Sequence, residues 1–177
     1  MLTLPNASNA ALLVVDVQER LYAVMPPAER ASALRAAANL RGLFVDLGLP
    51  VVTTQQYTRG LGPTVPELAS DHPVEKMTFS AADLPEVRDG LAGRHVVVVG
   101  MEAHICVALT ALGLRAQGSS VSVVSDGCVS RNPDDKAAAY AQLRAAGVGV
   151  LPHETLGFAV LGRAGTAEFK AFSARIR

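Results

Sequence analysis

The sequence alternates short, valine-rich apolar runs with longer stretches that are rich in alanine, leucine and arginine. Because the short runs are apolar throughout, they are typical of strands that are covered on both faces of a sheet. The longer stretches carry apolar residues at helical spacing, which predicts helices with one buried side. The predicted strands are 11–15, 51–54, 96–99, 121–124 and 148–151, and the predicted helices are 28–47, 104–116 and 135–146.

This alternation constrains the fold more than any other feature of the chain. Strands that alternate with helices predict βαβ units with right-handed crossovers and a mostly parallel sheet. We therefore expect a three-layer α/β/α sandwich. The segment 73–80 predicts a short extra strand or a loop that leads into a helix. A length of 177 residues suits one domain, residues 1–177.

Composition excludes several classes of function. The 16 basic residues balance the 16 acidic ones and form no run, which argues against nucleic-acid partners and anionic membranes. Tryptophan is absent and aromatic residues make up 5%, so a base-stacking surface is not expected. No segment approaches the ~20 apolar residues of a membrane span. The first residues lack the basic region of a secretory leader, so we expect a cytoplasmic protein.

Two cysteines are the candidate nucleophiles, and a reducing compartment disfavours a disulfide between them. Cys106 follows a predicted strand and a sharp turn, in the first turn of a predicted helix. A helix N-terminus can lower the pKa of a thiol, and its backbone N–H groups can hold an oxyanion. The alternative is that Cys106 is a small core residue. For Cys128 a structural role is favoured over that of a resolving thiol.

Asp16 and Lys76 are the charged residues that could act together with Cys106. Asp16 ends an otherwise apolar strand, where a buried carboxylate is costly without a partner. It could accept the thiol proton, or it could be an acid at the top of a loop or a cap for the turn at 19–21. Lys76 lies among apolar neighbours and, by residue type alone, is expected in solvent. Convergence of all three would place a cation beside the thiolate and the carboxylate.

Other kinds of site lack the spacing that they need. The four histidines show no metal-ligand pattern, so we expect no metal, and no phosphate-binding or dinucleotide-binding glycine motif occurs. His104 stands two residues before Cys106, so the two side chains would not face each other on a regular helix. We therefore expect no cofactor and no Cys–His dyad.

Three blocks of sequence resemble one known family, the isochorismatase-like cysteine hydrolases. The blocks are LLVVDVQERL at 12–21, EKMTFS at 75–80 and GMEAHICV at 100–107. The stretch TQQYTRGLGPT at 54–64 is most similar to the subgroup called isochorismatase domain-containing proteins. The resemblance extends from about residue 11 to 169 and supports the same α/β/α fold.

The resemblance implies a catalytic triad of Asp16, Lys76 and Cys106. It also implies a cis peptide bond between Met101 and Glu102, and an oxyanion site formed by the backbone N–H groups of Glu102 and Cys106. Substrate-pocket residues are assigned less directly. Our candidates for them are Leu21, Tyr57 and His104.

The chain also departs from two branches of that family. The nicotinamidase branch has an acidic and histidine metal cluster after its second strand, where this chain has Gln55, Gln56, Tyr57 and Thr58. Enzymes that hydrolyse isochorismate itself lack the cysteine, so Cys106 argues against cleavage of a vinyl ether.

The function that these observations favour is hydrolysis of a small amide or related carbonyl substrate through a thioester. Two alternatives stay open: a catalytically idle member that serves as a binding or scaffold subunit, and a thiol redox sensor that uses Cys106 with Cys128. A small-molecule substrate and a homo-oligomer, either a dimer or a tetramer, are the expected partners. The sequence does not name the substrate.

Overall fold

A computed structural model describes residues 3–177, and its centre is a six-stranded parallel sheet. The strands are β1 Ala10–Val15, β2 Val51–Gln56, β3 Val74–Lys76, β4 His95–Met101, β5 Ser120–Val129 and β6 Gly149–Leu151. The helices are α1 Glu19–Ala23, α2 Pro27–Asp46, α3 Thr58–Leu61, α4 Pro85–Gly90, α5 Ala108–Ala116, α6 Pro133–Ala145, α7 His153–Leu161 and α8 Ala167–Arg175. Within this range no helix is both long enough and apolar enough to cross a membrane.

The strand order is β3-β2-β1-β4-β5-β6, and every neighbouring pair is parallel. Helices cover both faces of the sheet, so the predicted three-layer sandwich is confirmed. The extra strand expected in 73–80 is β3. Two of its three residues pair with Gln55 and Gln56 at the end of β2.

Side chains of each central strand alternate between two apolar layers, as the period of a strand requires. Leu13 of β1 faces a layer that includes residues of α4, α5 and α6, whereas Leu12 faces one that includes residues of α2, α7 and α8. Both leucines are fully buried. This two-sided burial explains why the strands are apolar throughout in the sequence.

Two predicted boundaries differ from the structure by more than two residues. The helix expected over 104–116 begins as a π-helical turn, Ala103–Val107, and only then continues as α5. The strand predicted over 121–124 is β5, which extends to Val129. Its pairing with β4 has a register irregularity before Cys128. Polar residues and a glycine within 125–127 hid this extension, because they interrupt the apolar run on which the prediction relied.

The chain reverses its direction of sheet growth between β1 and β4. After β1 it adds β2 and β3 on one side, and it then crosses to the other side to place β4, β5 and β6. Such a switch point leaves a crevice beyond the carboxyl ends of the two strands, where open α/β sheets bind ligands. Asp16 follows β1 at this crevice, and the turn that carries Cys106 follows β4.

Gly100 lets these two strand ends approach each other closely. It pairs with Val15, the residue before Asp16, and its φ of 141° is a conformation that residues with a side chain rarely adopt. A Cβ atom at this position would lie 2.1 Å from the carbonyl oxygen of Val15. A larger residue would therefore push the end of β4 away from Asp16.

We predict that Gly100→Ala lowers the free energy of unfolding by at least ~3 kcal/mol, because backbone atoms block the new methyl group. Gly118→Ala is the matched control. Gly118 also has a positive φ, of 89°, but nothing lies within 4 Å of a Cβ added there. That variant should lose only ~1–2 kcal/mol. Urea denaturation of both variants tests the comparison, and equal losses would contradict the close approach at Gly100.

Candidate active site

The carboxylate of Asp16 and the ammonium group of Lys76 form a buried ion pair at the switch point. The distance from Lys76 Nζ to Asp16 Oδ2 is 2.7 Å, and both side chains are completely shielded from solvent. The other carboxylate oxygen of Asp16 accepts a hydrogen bond from the hydroxyl of Thr54 at 2.7 Å. One oxygen of the buried carboxylate is thus hydrogen-bonded and the other lies against the ammonium group, so the buried charge has a partner.

Lys76 is held by oxygen acceptors on several sides. Its Nζ donates to the side-chain oxygen of Gln56 at 2.6 Å and to the carbonyl oxygens of Thr78 and Phe79 at 3.0 and 3.1 Å. The pairing of Gln56 with Lys76 between β2 and β3 places these two side chains together. The expectation from residue type, a solvated lysine, was therefore wrong. The short strand β3 brings Lys76 into the interior.

Cys106 lies in the π-helical turn after β4, and only 6% of its surface is exposed. Burial raises the pKa of its thiol to about 12, and the negative charge of Asp16 acts in the same direction. The positive charge of Lys76 opposes this rise but does not overcome it. The lowering of a thiol pKa that a helix start can cause does not prevail at Cys106, because burial and the carboxylate of Asp16 act more strongly in the opposite direction.

The turn between β4 and Cys106 is fixed by the side chain of Glu102. The peptide bond between Met101 and Glu102 is cis, at the position where the resemblance places one. Glu102 is buried, and its carboxylate accepts hydrogen bonds from the backbone N–H and the side chain of Arg131. Although burial acts to raise it, the hydrogen bonds and charge of Arg131 hold the pKa of Glu102 below its ordinary value.

A cavity of about 120 Å³ opens beside Cys106. Four apolar side chains and three residues with polar groups line it: Leu21, Leu61, Phe79 and Ile105, with Gln56, Glu102 and Cys106. Glu102 is the one charged residue among these lining residues, and its carboxylate is paired with Arg131. The cavity therefore offers a mostly apolar wall next to a thiol.

The three pocket candidates from the sequence have different positions. Leu21 lines the cavity, whereas Tyr57 and His104 are not among its lining residues within 3–177. The ring of Tyr57 lies against Gly60 and is half exposed. The Nδ1 atom of His104 instead lies 3.0 Å from the hydroxyl of Ser130. A role for Tyr57 and His104 in a substrate pocket therefore stays a prediction.

Sequence reasoning missed Thr54, Gln56, Phe79 and Arg131. The first two could have been found from the parallel register, since the ends of β1, β2 and β3 meet at one edge of the sheet. Phe79 lies within the segment that resembles the family around Lys76. No sequence feature identifies Arg131 as part of the site, because it is a surface arginine 29 residues after its partner Glu102.

The family of the chain follows from comparison with known proteins. A family model described as the Isochorismatase domain matches residues 10–155. The chain belongs to this family. Among curated members, isochorismatase domain-containing protein 2 of Bos taurus is 36% identical over 173 residues, which cover 94% of this chain and 81% of that protein.

Solved structures of other proteins support the same assignment. The structure of MAR1 ribonuclease from Caenorhabditis elegans has a TM-score of 0.91 and 31% identity, and the match covers 98% of this chain and 92% of that one. YcaC from Pseudomonas aeruginosa, whose structure holds hexane-2,5-diol and covalent acrylamide, has a TM-score of 0.84 and 25% identity. That match covers 96% of this chain and 90% of YcaC.

The glutamines that follow Thr54 in this isochorismatase family member bond to other side chains of the protein. Gln55 donates to the hydroxyl of Thr64 at 3.0 Å, and Gln56 accepts from Lys76. Across residues 3–177, no group of three or more histidine, cysteine, aspartate or glutamate residues is arranged to hold a metal ion. The residues at the position of the nicotinamidase cluster thus bond within the protein.

We predict that Lys76→Met destabilises the protein by about 3–5 kcal/mol, because it leaves the Asp16 carboxylate buried without its cation. The double variant Asp16→Asn, Lys76→Met should recover part of that loss, because it also removes the charge of the carboxylate. Arg88→Met is the control, since Arg88 pairs with Asp89 on the surface, where both side chains are more than half exposed. Thermal and urea unfolding measure all three. A loss in Lys76→Met no larger than that of the control would contradict the buried pair.

Proposed function

We propose that this isochorismatase family member is a metal-independent cysteine hydrolase that cleaves a small, neutral amide or related carbonyl compound. The observation that carries the proposal is the position of Cys106 between a buried ion pair and an apolar cavity. Asp16 supplies a carboxylate, Lys76 supplies a fixed positive charge, and the cavity supplies space for an acyl group. Family membership supports a hydrolase, and the triad extends that conclusion to a reaction.

The first half of the reaction is acyl transfer to sulfur. As the Cys106 sulfur attacks the substrate carbonyl carbon, its proton moves to the Asp16 carboxylate, which acts as general base. The backbone N–H groups of Glu102 and Cys106 stabilise the oxyanion of the tetrahedral intermediate. When the intermediate collapses, the C–N bond breaks, the departing amine takes the proton from Asp16, and a thioester on Cys106 remains.

The second half of the reaction is hydrolysis of that thioester. Asp16 accepts a proton from a water molecule as the water oxygen attacks the thioester carbonyl carbon. Collapse breaks the C–S bond, releases the carboxylic acid, and returns the proton from Asp16 to the sulfur. Lys76 stays charged throughout, and its role is to stabilise the negative charge that moves between Asp16 and the sulfur.

The raised pKa of Cys106 favours this mechanism over one with a permanent thiolate. At neutral pH the resting thiol is protonated, so a base must remove its proton during the attack. The raised pKa of Cys106 also disfavours the redox-sensor alternative, because sensor cysteines combine a low pKa with solvent access. Cys106 has neither property, and Cys106 and Cys128 are both free and buried.

The cavity supports a substrate without a free charge. Its wall is mostly apolar, and the one charged residue among its lining residues, Glu102, is paired with Arg131. A carboxylate or phosphate there would be buried without a partner, which is costly. We therefore propose a small neutral substrate rather than RNA, although the similar protein from Caenorhabditis elegans is named a ribonuclease.

We expect Asp16→Asn to lower turnover of a cleaved amide by ~10²–10⁴-fold, the usual contribution of a general base. Cys106→Ala should abolish turnover, whereas Cys128→Ala should retain it, because Cys128 lies in the strand β5 away from the cavity lining. The measurement is ammonia release from a panel of small primary amides, with acrylamide as a covalent probe followed by intact-protein mass spectrometry. An RNA substrate is assayed in parallel.

Three results would contradict this proposal. They are amide turnover that survives Cys106→Ala, acrylamide labelling of Cys128 in preference to Cys106, and RNA cleavage that depends on Cys106 when no amide is cleaved. A protein that binds small amides without turning them over would support the alternative of a binding or scaffold subunit.

Three other expectations remain proposals. We propose one domain over residues 1–177, for which a single cooperative unfolding transition is the test. We propose a homo-oligomer, a dimer or tetramer, which is supported by the exposed side chains of Met77, Phe79 and Leu109 and is tested by light scattering. We propose a cytoplasmic location, which two free thiols support and cell fractionation tests.

A further inference from the structure

Arg131 makes an unusually complete set of contacts with the carboxylate of Glu102. Its backbone N–H donates to Oε2 at 2.9 Å, its Nε lies 3.1 and 3.0 Å from Oε1 and Oε2, and its Nη2 lies 3.0 Å from Oε1. This is the two-pronged geometry in which arginine fixes the plane of a carboxylate as well as its position. One residue thus determines the orientation of the Glu102 side chain.

The two partners have opposite environments. The side chain of Glu102 is 5% exposed and borders the cavity, whereas that of Arg131 is 60% exposed. An arginine in solvent is a weak source of stability through its charge alone. Its contacts instead reach inward from the surface to a residue that lies beside the reacting thiol.

The backbone around Arg131 is itself fixed to the turn that carries Cys106. Met101 pairs with Val129 at the ends of β4 and β5, one residue before Glu102 and two residues before Arg131. The hydroxyl of Ser130 lies 3.0 Å from Nδ1 of His104. The segment 129–131 therefore contacts the turn at three successive positions, and the extension of β5 beyond its irregularity makes this possible.

We propose that Arg131 is a positioning residue that orients the backbone of Glu102, and hence the oxyanion-stabilising N–H group of the turn, toward the oxygen of the carbonyl group that Cys106 attacks. The inference rests on the proposed function. Arg131 touches no reacting atom, and it acts through Glu102. A shift of about 1 Å in such a group can cost ~10²-fold in rate, so a surface arginine can influence the reaction strongly.

The test compares two reactions of the same thiol in the purified full-length protein. Release of nitrophenolate from p-nitrophenyl acetate measures acyl transfer, which passes through an oxyanion. Alkylation of Cys106 by iodoacetamide is a displacement at a saturated carbon and forms no oxyanion. We expect Arg131→Gln to lower the kcat for the ester by ~10–10²-fold with little change in KM, and to leave the alkylation rate within about twofold.

Two further variants separate positioning from general loss of structure. Arg131→Lys keeps the charge but not the two-pronged geometry, so its kcat should lie between those of the wild type and Arg131→Gln. Glu102→Gln keeps the size of the buried side chain but loses the ion pair, so it should reproduce the loss of kcat. Arg88→Gln, a surface arginine remote from the cavity lining, should behave as the wild type in both reactions.

Three outcomes would overturn the inference: an unchanged kcat in Arg131→Gln, an equal loss in both reactions, or a rise in KM with kcat unchanged. The last would make Arg131 a binding residue for substrate. Failure of the proposed function gives a different result, since the wild type itself would then show no Cys106-dependent acyl transfer.

Discussion

The buried pair of Asp16 and Lys76 is the interaction on which the site depends. Two opposite charges are removed from solvent at the ends of β1 and β3, and neither could be buried alone without a large free-energy cost. Thr54 and Gln56 of the intervening strand β2 bond the same two side chains. One charged network therefore links the ends of the neighbouring strands β1, β2 and β3. Cys106 approaches this network from the turn that follows β4.

This network also determines the chemical state of the thiol. Cys106 lies among a carboxylate, an ammonium group and apolar side chains, and burial raises its pKa to about 12. A neutral thiol with a base held beside it reacts when a carbonyl group arrives, and it is a poor target for alkylating agents and oxidants before that. The arrangement suits a nucleophile that is activated during the reaction rather than before it.

The fold was predictable because its physical signals are local. Apolar runs such as 96–99 have the composition of doubly covered strands, and the alternation with helices fixed the layer architecture. The short strand β3 was only one of two alternatives, since three residues carry little periodic signal. The extension of β5 was not predictable, because its polar residues are accommodated by an irregular register that depends on the neighbouring strand.

The candidate site was predictable only in part, for a related reason. Asp16 and Cys106 stand at strand ends that parallel topology brings together, and the family resemblance supplied Lys76. The pKa of the thiol depends on burial and on the charges of Asp16 and Lys76, which stand at the ends of two different strands, so the local environment of a helix start does not determine it. The contact of Arg131 with Glu102 joins residues far apart in sequence and leaves no periodic pattern.

The state of the Cys106 thiol can be tested directly by titrating its thiolate through ultraviolet absorbance, with Cys106→Ser subtracted as background. We expect no thiolate at Cys106 near pH ~8.5, where a free cysteine is half ionised, because the pKa of Cys106 is raised to about 12. We also expect Asp16→Asn to move the titration to lower pH, since that variant removes a negative charge beside the sulfur. A thiolate already present at neutral pH in the wild type, or a titration that Asp16→Asn leaves in place, would contradict a nucleophile that is activated by Asp16 during the reaction.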